Sequence, residues 1–198
     1  SKTIVVIGNW DNSDYGKDLK VRFSKFKNIF LLNPIYDQKI LNQIRSNCYL
    51  YIHGHSAGGT NPSLVEAMSL GLPIFSFGVN YNRETTRNKA KYFDNISDLV
   101  ELLEKVNKND LIEMGKTMKS IANTSYTWKL ISFEYNKLFN PEISDISEIS
   151  DNEKLCPATL EGSKTTCEKC NKCNGENSFK SIAIVVHGNG AKYARGQA

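Results

Sequence analysis

Long apolar runs are missing from this chain. Its most hydrophobic stretches are IVVIG at residues 4–8 and IAIVV at residues 182–186, far short of the ~20 residues that cross a bilayer as a helix, so no transmembrane segment is expected. A secretory signal is missing too. Residues 1–30 scatter lysines, aspartates and Trp10 among short apolar pieces, without the basic, apolar and small-residue succession that marks such a signal. These absences read as a cytoplasmic protein, compatible with a peripheral place at a membrane. The third absence is a dense basic stripe. The net charge is +4, and it is partitioned: residues 1–139 hold 18 Lys+Arg against 13 Asp+Glu, residues 140–155 hold 1 against 5, and residues 156–198 hold 6 against 3. That mild excess suits phosphate-bearing ligands or an anionic surface. It argues against a nucleic-acid partner, which needs Lys and Arg clustered on one face.

What is present is enough apolar material for a core. With 198 residues and 40% hydrophobic content, the chain can bury one full core plus an appendage, or form two modest domains. TIVVIG (3–8), NIFLLN (28–33), CYLYIHG (48–54) and LPIFSFG (72–78) read as short buried strands. Helical patterns lie between them at 15–26, 37–47 and 61–71, and more follow at 97–106, 109–122 and 125–139. Ser97 is the expected N-cap of the 97–106 helix, and Glu101 and Lys105 form an i,i+4 pair on it. Strands alternating with helices predict an α/β, Rossmann-like parallel sheet with helices on both faces. Cys48, within a strand, reads as a small buried apolar residue.

Composition changes at Asn140. The acidic stretch PEISDISEISDNEK repeats EISD and lacks aromatics, which reads as a linker over 140–155. Residues 156–198 read as a separate cysteine-rich module. Cys156, Cys167, Cys170 and Cys173 stand in C-x10-C-x2-C-x2-C spacing, suited to tetrahedral zinc or to an iron–sulfur cluster, the repeated x2 spacing favouring the latter.

The most informative stretch is HGHSAGGTNPSLVEAMSLGLPI (53–74). A strand ends, a glycine-rich turn follows, and a helix begins near Asn61 with Pro62 at its first position. In an open parallel sheet such a turn lies on the ligand edge. Gly58 and Gly59 permit close backbone approach, and the N–H groups of residues 60–64 with the helix's positive end suit a phosphate or diphosphate. Glu66, one turn into the helix, can accept hydrogen bonds from the adjacent hydroxyls of a ribose. The glycines could equally shape only a tight turn, and Glu66 could be a solvated first-turn acid. His53, on the strand, reads as a core residue, whereas His55 in the turn is a candidate donor-binding side chain. Gly8, Asn9 and Trp10 end the first strand on the same edge.

HGHSAGGTNPSLVEAM resembles the donor-binding loop and helix of the C-terminal domain of retaining GT-B glycosyltransferases of family 4, in particular the bacterial polysaccharide rhamnosyltransferase-like branch. IGNW with DYGK, NIFLLNPIYD and YNRETTRNKAKYF carry the resemblance over residues 3–139. It implies a nucleotide-sugar-binding domain over 1–139, a nucleotide diphosphate sugar as donor substrate, and transfer of a hexose or deoxyhexose to a saccharide or lipid-linked saccharide acceptor in surface polysaccharide synthesis. It places the base near the Pro34–Tyr36 turn, making Tyr36 a candidate, and the ribose on Glu66. His55, Gly58, Gly59, Thr60 and Asn61 fall on the donor. Two glutamates of the family stand eight positions apart; Glu66 matches the second, and Gly58 stands at the first. The other GT-B domain, which largely holds the acceptor, has no counterpart here. The chain is therefore expected to be inactive alone, with that domain supplied elsewhere, for instance by a separate chain. The segment from LCPATLEGSKTTCEKCNKC to IAIVVHGNG is similar to the carboxyl end of a poorly characterised phage protein family, which implies the alternative of a non-catalytic binding protein with a metal module.

Overall fold

The computed structural model describes residues 3–142, 145–146 and 181–185, the last five as backbone. Six strands, β1 (Thr3–Ile7), β2 (Ile29–Leu32), β3 (Leu50–His53), β4 (Ile74–Phe77), β5 (Lys91–Phe93) and β6 (Ser181–Val185), form one sheet in the order β2-β1-β6-β3-β4-β5. Every neighbouring pair is parallel. The helices are α1 (Asp14–Phe23), α2 (Gln38–Ser46), α3 (Pro62–Ser69), α4 (Asn80–Thr85), α5 (Ile96–Lys105), α6 (Lys108–Ser125) and α7 (Trp128–Phe139).

Side-chain caps explain where most of these helices start. Ser13, Asp37, Asn61, Asn95, Asn107 and Thr127 each accept a hydrogen bond from a backbone N–H of the first turn, satisfying donors the helix itself leaves open. The cap of α5 is Asn95 and not the expected Ser97, which lies inside the helix. The Glu101–Lys105 pair forms on α5. Helix α3 ends at Gly71, whose φ of +75° lets its N–H reach Met68 O and that of Leu72 reach Ala67 O, a closure that favours glycine.

The core sits around β3 and β4. Leu50, Tyr51, Ile52, Ile74 and Phe75 are buried, and Leu64, Ala67 and Met68 of α3 pack with Leu111, Met114 and Met118 of α6 in the same cluster. Each large apolar side chain hidden there contributes on the order of 1.5–3 kcal/mol. The contact is close: a Cβ on Gly115 would lie 2.3 Å from Gly71 O. Cys48 is buried beside β3, as its position in the sequence suggests. Helix α4 and strand β5 have no counterpart in the sequence reading, because NYNRET has no apolar period and KYF is three residues long.

The 181–185 run is indeed a strand, but it belongs to the main sheet, a correction to its expected place in a separate module. Ala183 is in register with Val5 of β1 on one side and Tyr51 of β3 on the other. The physical reason is that β1 and β3 would otherwise each present an open ladder edge, and a short apolar run can close both. If β6 is counted first, the order becomes 3-2-1-4-5-6, that of a doubly wound dinucleotide-binding sheet. The strand that usually opens this arrangement here comes last among the described strands. The remainder of 156–198, including Cys156, Cys167, Cys170 and Cys173, and most of the acidic 140–155 stretch lie outside the described residues.

Candidate functional site

Strand order reverses between β6 and β3, and the ligand crevice of such a sheet lies beyond the C-terminal ends of the strands at that point. The 54–61 turn leaves β3 there. Gly8 and Asn9 leave β1 on the same edge, two strand spacings away or about 10 Å, and the turn carrying Tyr36 leaves β2 three spacings away, about 14 Å. Gly8 N–H is spent on Leu32 O at 3.1 Å. Asn9 is exposed, and Tyr36 is 90% exposed. Among the described residues, the sequence-derived ligand candidates thus lie on one edge of the sheet, with the 53–66 segment nearest the crevice.

Gly58 has φ +102°, a backbone conformation that L side chains rarely adopt. A glutamate at this position would be strained. Gly59 needs no such freedom; the space around it is open. The turn is held at both ends by α4. Buried Asn82 donates from Nδ2 to His55 O at 2.9 Å and to Phe77 O at 3.1 Å, and Thr85 Oγ1 donates to Thr60 Oγ1 at 3.3 Å. Tyr126 O–H in turn holds Thr85 O at 3.1 Å. None of these anchors was singled out from the sequence. The polar pair Asn82 and Thr85, three positions apart behind an apolar strand, was the available signal.

At the head of α3 the donors are distributed differently from the expectation. Pro62 has no N–H. Ser63 N–H goes to Asn61 Oδ1 at 3.0 Å and Leu64 N–H to Asn61 O at 3.0 Å. Asn61 Oδ1 also accepts from Ser63 Oγ at 2.7 Å, so this oxygen is committed to the cap. The first turn of α3 is therefore closed to a ligand as a direct donor. The N–H groups of Gly58, Gly59 and Thr60, which precede α3 in the chain, have no acceptor among the described residues.

Glu66 is partly exposed and ion-paired. Its Oε2 accepts from Arg45 Nη1 at 2.6 Å, with Arg45 fully buried and the Glu66 side chain 40% exposed. Arg45, absent from the sequence reading, occupies the inward stripe of α2 beside Leu41. Next to the pair, Tyr51 O–H donates to Ser63 Oγ at 3.3 Å, and burial raises the Tyr51 pKa, keeping the phenol a neutral donor. His53 is buried as expected. Burial, with a smaller push from His55, lowers its pKa to about 4, so it is uncharged near neutrality. His55 is exposed on the turn, its ring 5.9 Å from that of His53.

The pneumococcal O-GlcNAc transferase GtfA, in a crystal structure with UDP and GlcNAc, superposes with a TM-score of 0.52 at 16% identity over 72% of this chain. The fold is glycosyltransferase-like. A structure of the GtfA/B complex also matches, with a TM-score of 0.46 and 17% identity over 71% of the chain. In both cases the chain described here spans 36% of the neighbour's length. No family model and no curated protein matches this sequence. Among the described residues no group of three or more His, Cys, Asp or Glu could hold a metal ion, and no helix is long and apolar enough to cross a membrane.

Proposed function

We propose that the chain is the nucleotide-sugar-binding part of a glycosyltransferase. The observation that carries this reading is the place of the 54–61 turn and α3 at the reversal of strand order, in a sheet with glycosyltransferase-like topology. In the proposed complex the N–H groups of Gly58, Gly59 and Thr60, which have no acceptor among the described residues, face the diphosphate, and Glu66 accepts from the ribose hydroxyls. His55 lies beside the sugar, and Tyr36 stands toward the base. Fixed backbone dipoles at that position stabilise a diphosphate as negative charge grows on it during departure, and they need no reorganisation to do so. The GtfA neighbour holds UDP and GlcNAc, which supports a nucleoside diphosphate sugar as the donor class here. Transfer to a saccharide acceptor requires groups beyond the described residues, and a partner chain or further domain is the proposed source. The phage-related binding alternative has less support, since β6 of the tail lies within the main sheet.

The test is calorimetric titration of the 198-residue chain with uridine and thymidine diphosphates, beside Glu66→Gln. Saturable binding weakened by the substitution supports the reading. Absence of binding at millimolar ligand by a folded chain overturns it for this chain alone.

A further inference from the structure

Arg45 does not look like a binding residue in the sequence. It stands four positions after Leu41 on the buried stripe of α2, where an apolar residue would be the ordinary choice. A guanidinium there is costly unless it is paired and its donors are satisfied. The pairing is confined to one group: Nη1 donates to Glu66 Oε2 at 2.6 Å, while Nε and Nη2 have no acceptor among the described residues. The pair is also asymmetric, its positive member fully buried and its negative member 40% exposed. A purely structural ion pair has no need of that asymmetry, since apolar replacements of similar volume would serve as well.

We propose that Arg45 is a positioning residue for the ligand-facing carboxylate. It pins Glu66 through Oε2 from beneath, fixing the rotamer and leaving Oε1 to accept from vicinal hydroxyls presented above α3. The Asn61–Ser63–Tyr51 chain of hydrogen bonds holds the same turn of α3, so carboxylate and helix are fixed to one frame. This inference rests on the nucleotide-binding reading above and adds a residue to it from α2.

The experiment compares uridine diphosphate with 2′,3′-dideoxyuridine diphosphate, which lacks both hydroxyls, by calorimetry on the full chain. A hydrogen bond to a charged acceptor is worth about tenfold in affinity or more, so the wild type should prefer the ribose form by about that factor. Arg45→Met should bring the preference close to unity, Arg45→Lys should restore part of it, and Glu66→Gln should abolish it while the Arg45→Met/Glu66→Gln pair adds nothing further. Circular dichroism establishes that each variant is folded, and if Arg45→Met is not, Arg45→Lys alone must show a reduced preference. A merely structural role would weaken both ligands equally. An unchanged preference in folded Arg45→Met, with Glu66→Gln having lost it, overturns the positioning role and leaves the nucleotide reading intact. No binding by the wild type overturns both.

Discussion

Acidification tests whether His53 is held neutral inside the sheet. The side chain is 2% exposed, and its Nε2 has no hydrogen-bond partner among the described residues, so the imidazolium form would place an unsatisfied charged donor in the interior. Its pKa falls from 6.5 to about 4 on folding. The sign follows directly. Below pH 6.5 the unfolded chain takes up a proton that the folded chain refuses until about pH 4, so this contribution is fully present above 6.5 and is lost progressively as the pH falls across that window. At 1.36 kcal/mol per pH unit, the loss is about 2 kcal/mol by pH 5 and about 3 kcal/mol in full. Carboxylates titrate in the lower part of the same range, so the informative quantity is a difference between two proteins. Urea midpoints of wild type and His53→Gln would be measured at pH 7.5 and pH 5.0. The wild type is expected to lose about 2 kcal/mol more than the variant between the two pH values. Parallel losses in the two proteins would refute the buried neutral imidazole.

Three further outcomes follow from the packing. Gly115→Ala puts a methyl 2.3 Å from Gly71 O; overpacking of about 1–3 kcal/mol should outweigh the helix-propensity gain of up to about 1 kcal/mol. The melting temperature should fall, and a rise in a thermal melt would show that α3 and α6 are not in that contact. Ala183→Pro removes a backbone donor from a strand paired on both sides, so amide exchange in β1 and β3 should accelerate together; unchanged protection there would deny β6 its place between them. For the cysteine-rich tail, the proposal from spacing is bound zinc or iron, and metal analysis of anaerobically purified protein should find it at near-stoichiometric level, with neither metal present as the disproving result.

Much of the molecule was legible in the sequence because it is local. The short apolar runs at 3–8, 28–33, 48–54 and 72–78 and the apolar spacing of the segments between them specify parallel strands and covering helices through two periods that differ in kind. Asn61 and Pro62 announced the start of α3 for the same reason, since a cap depends on neighbours one to three residues away. Gly58 was legible as a special backbone position, and His53 as a core residue.

Tertiary structure alone decided what depends on groups far apart in the chain. Arg45 and Glu66 are 21 positions apart, and Asn82 and His55 are 27 apart; no periodicity relates them, because the first pair meets only when α2 and α3 come together and the second only when α4 reaches the turn after β3. The use of the Ser63 N–H within the cap follows from one rotamer of Asn61, and that of the Leu64 N–H from the Asn61 backbone carbonyl. The place of β6 is the plainest case. An apolar run of five residues states that it will be buried in a sheet, but which edges it joins is settled by the gap between β1 and β3, a property of the folded sheet that no single segment contains.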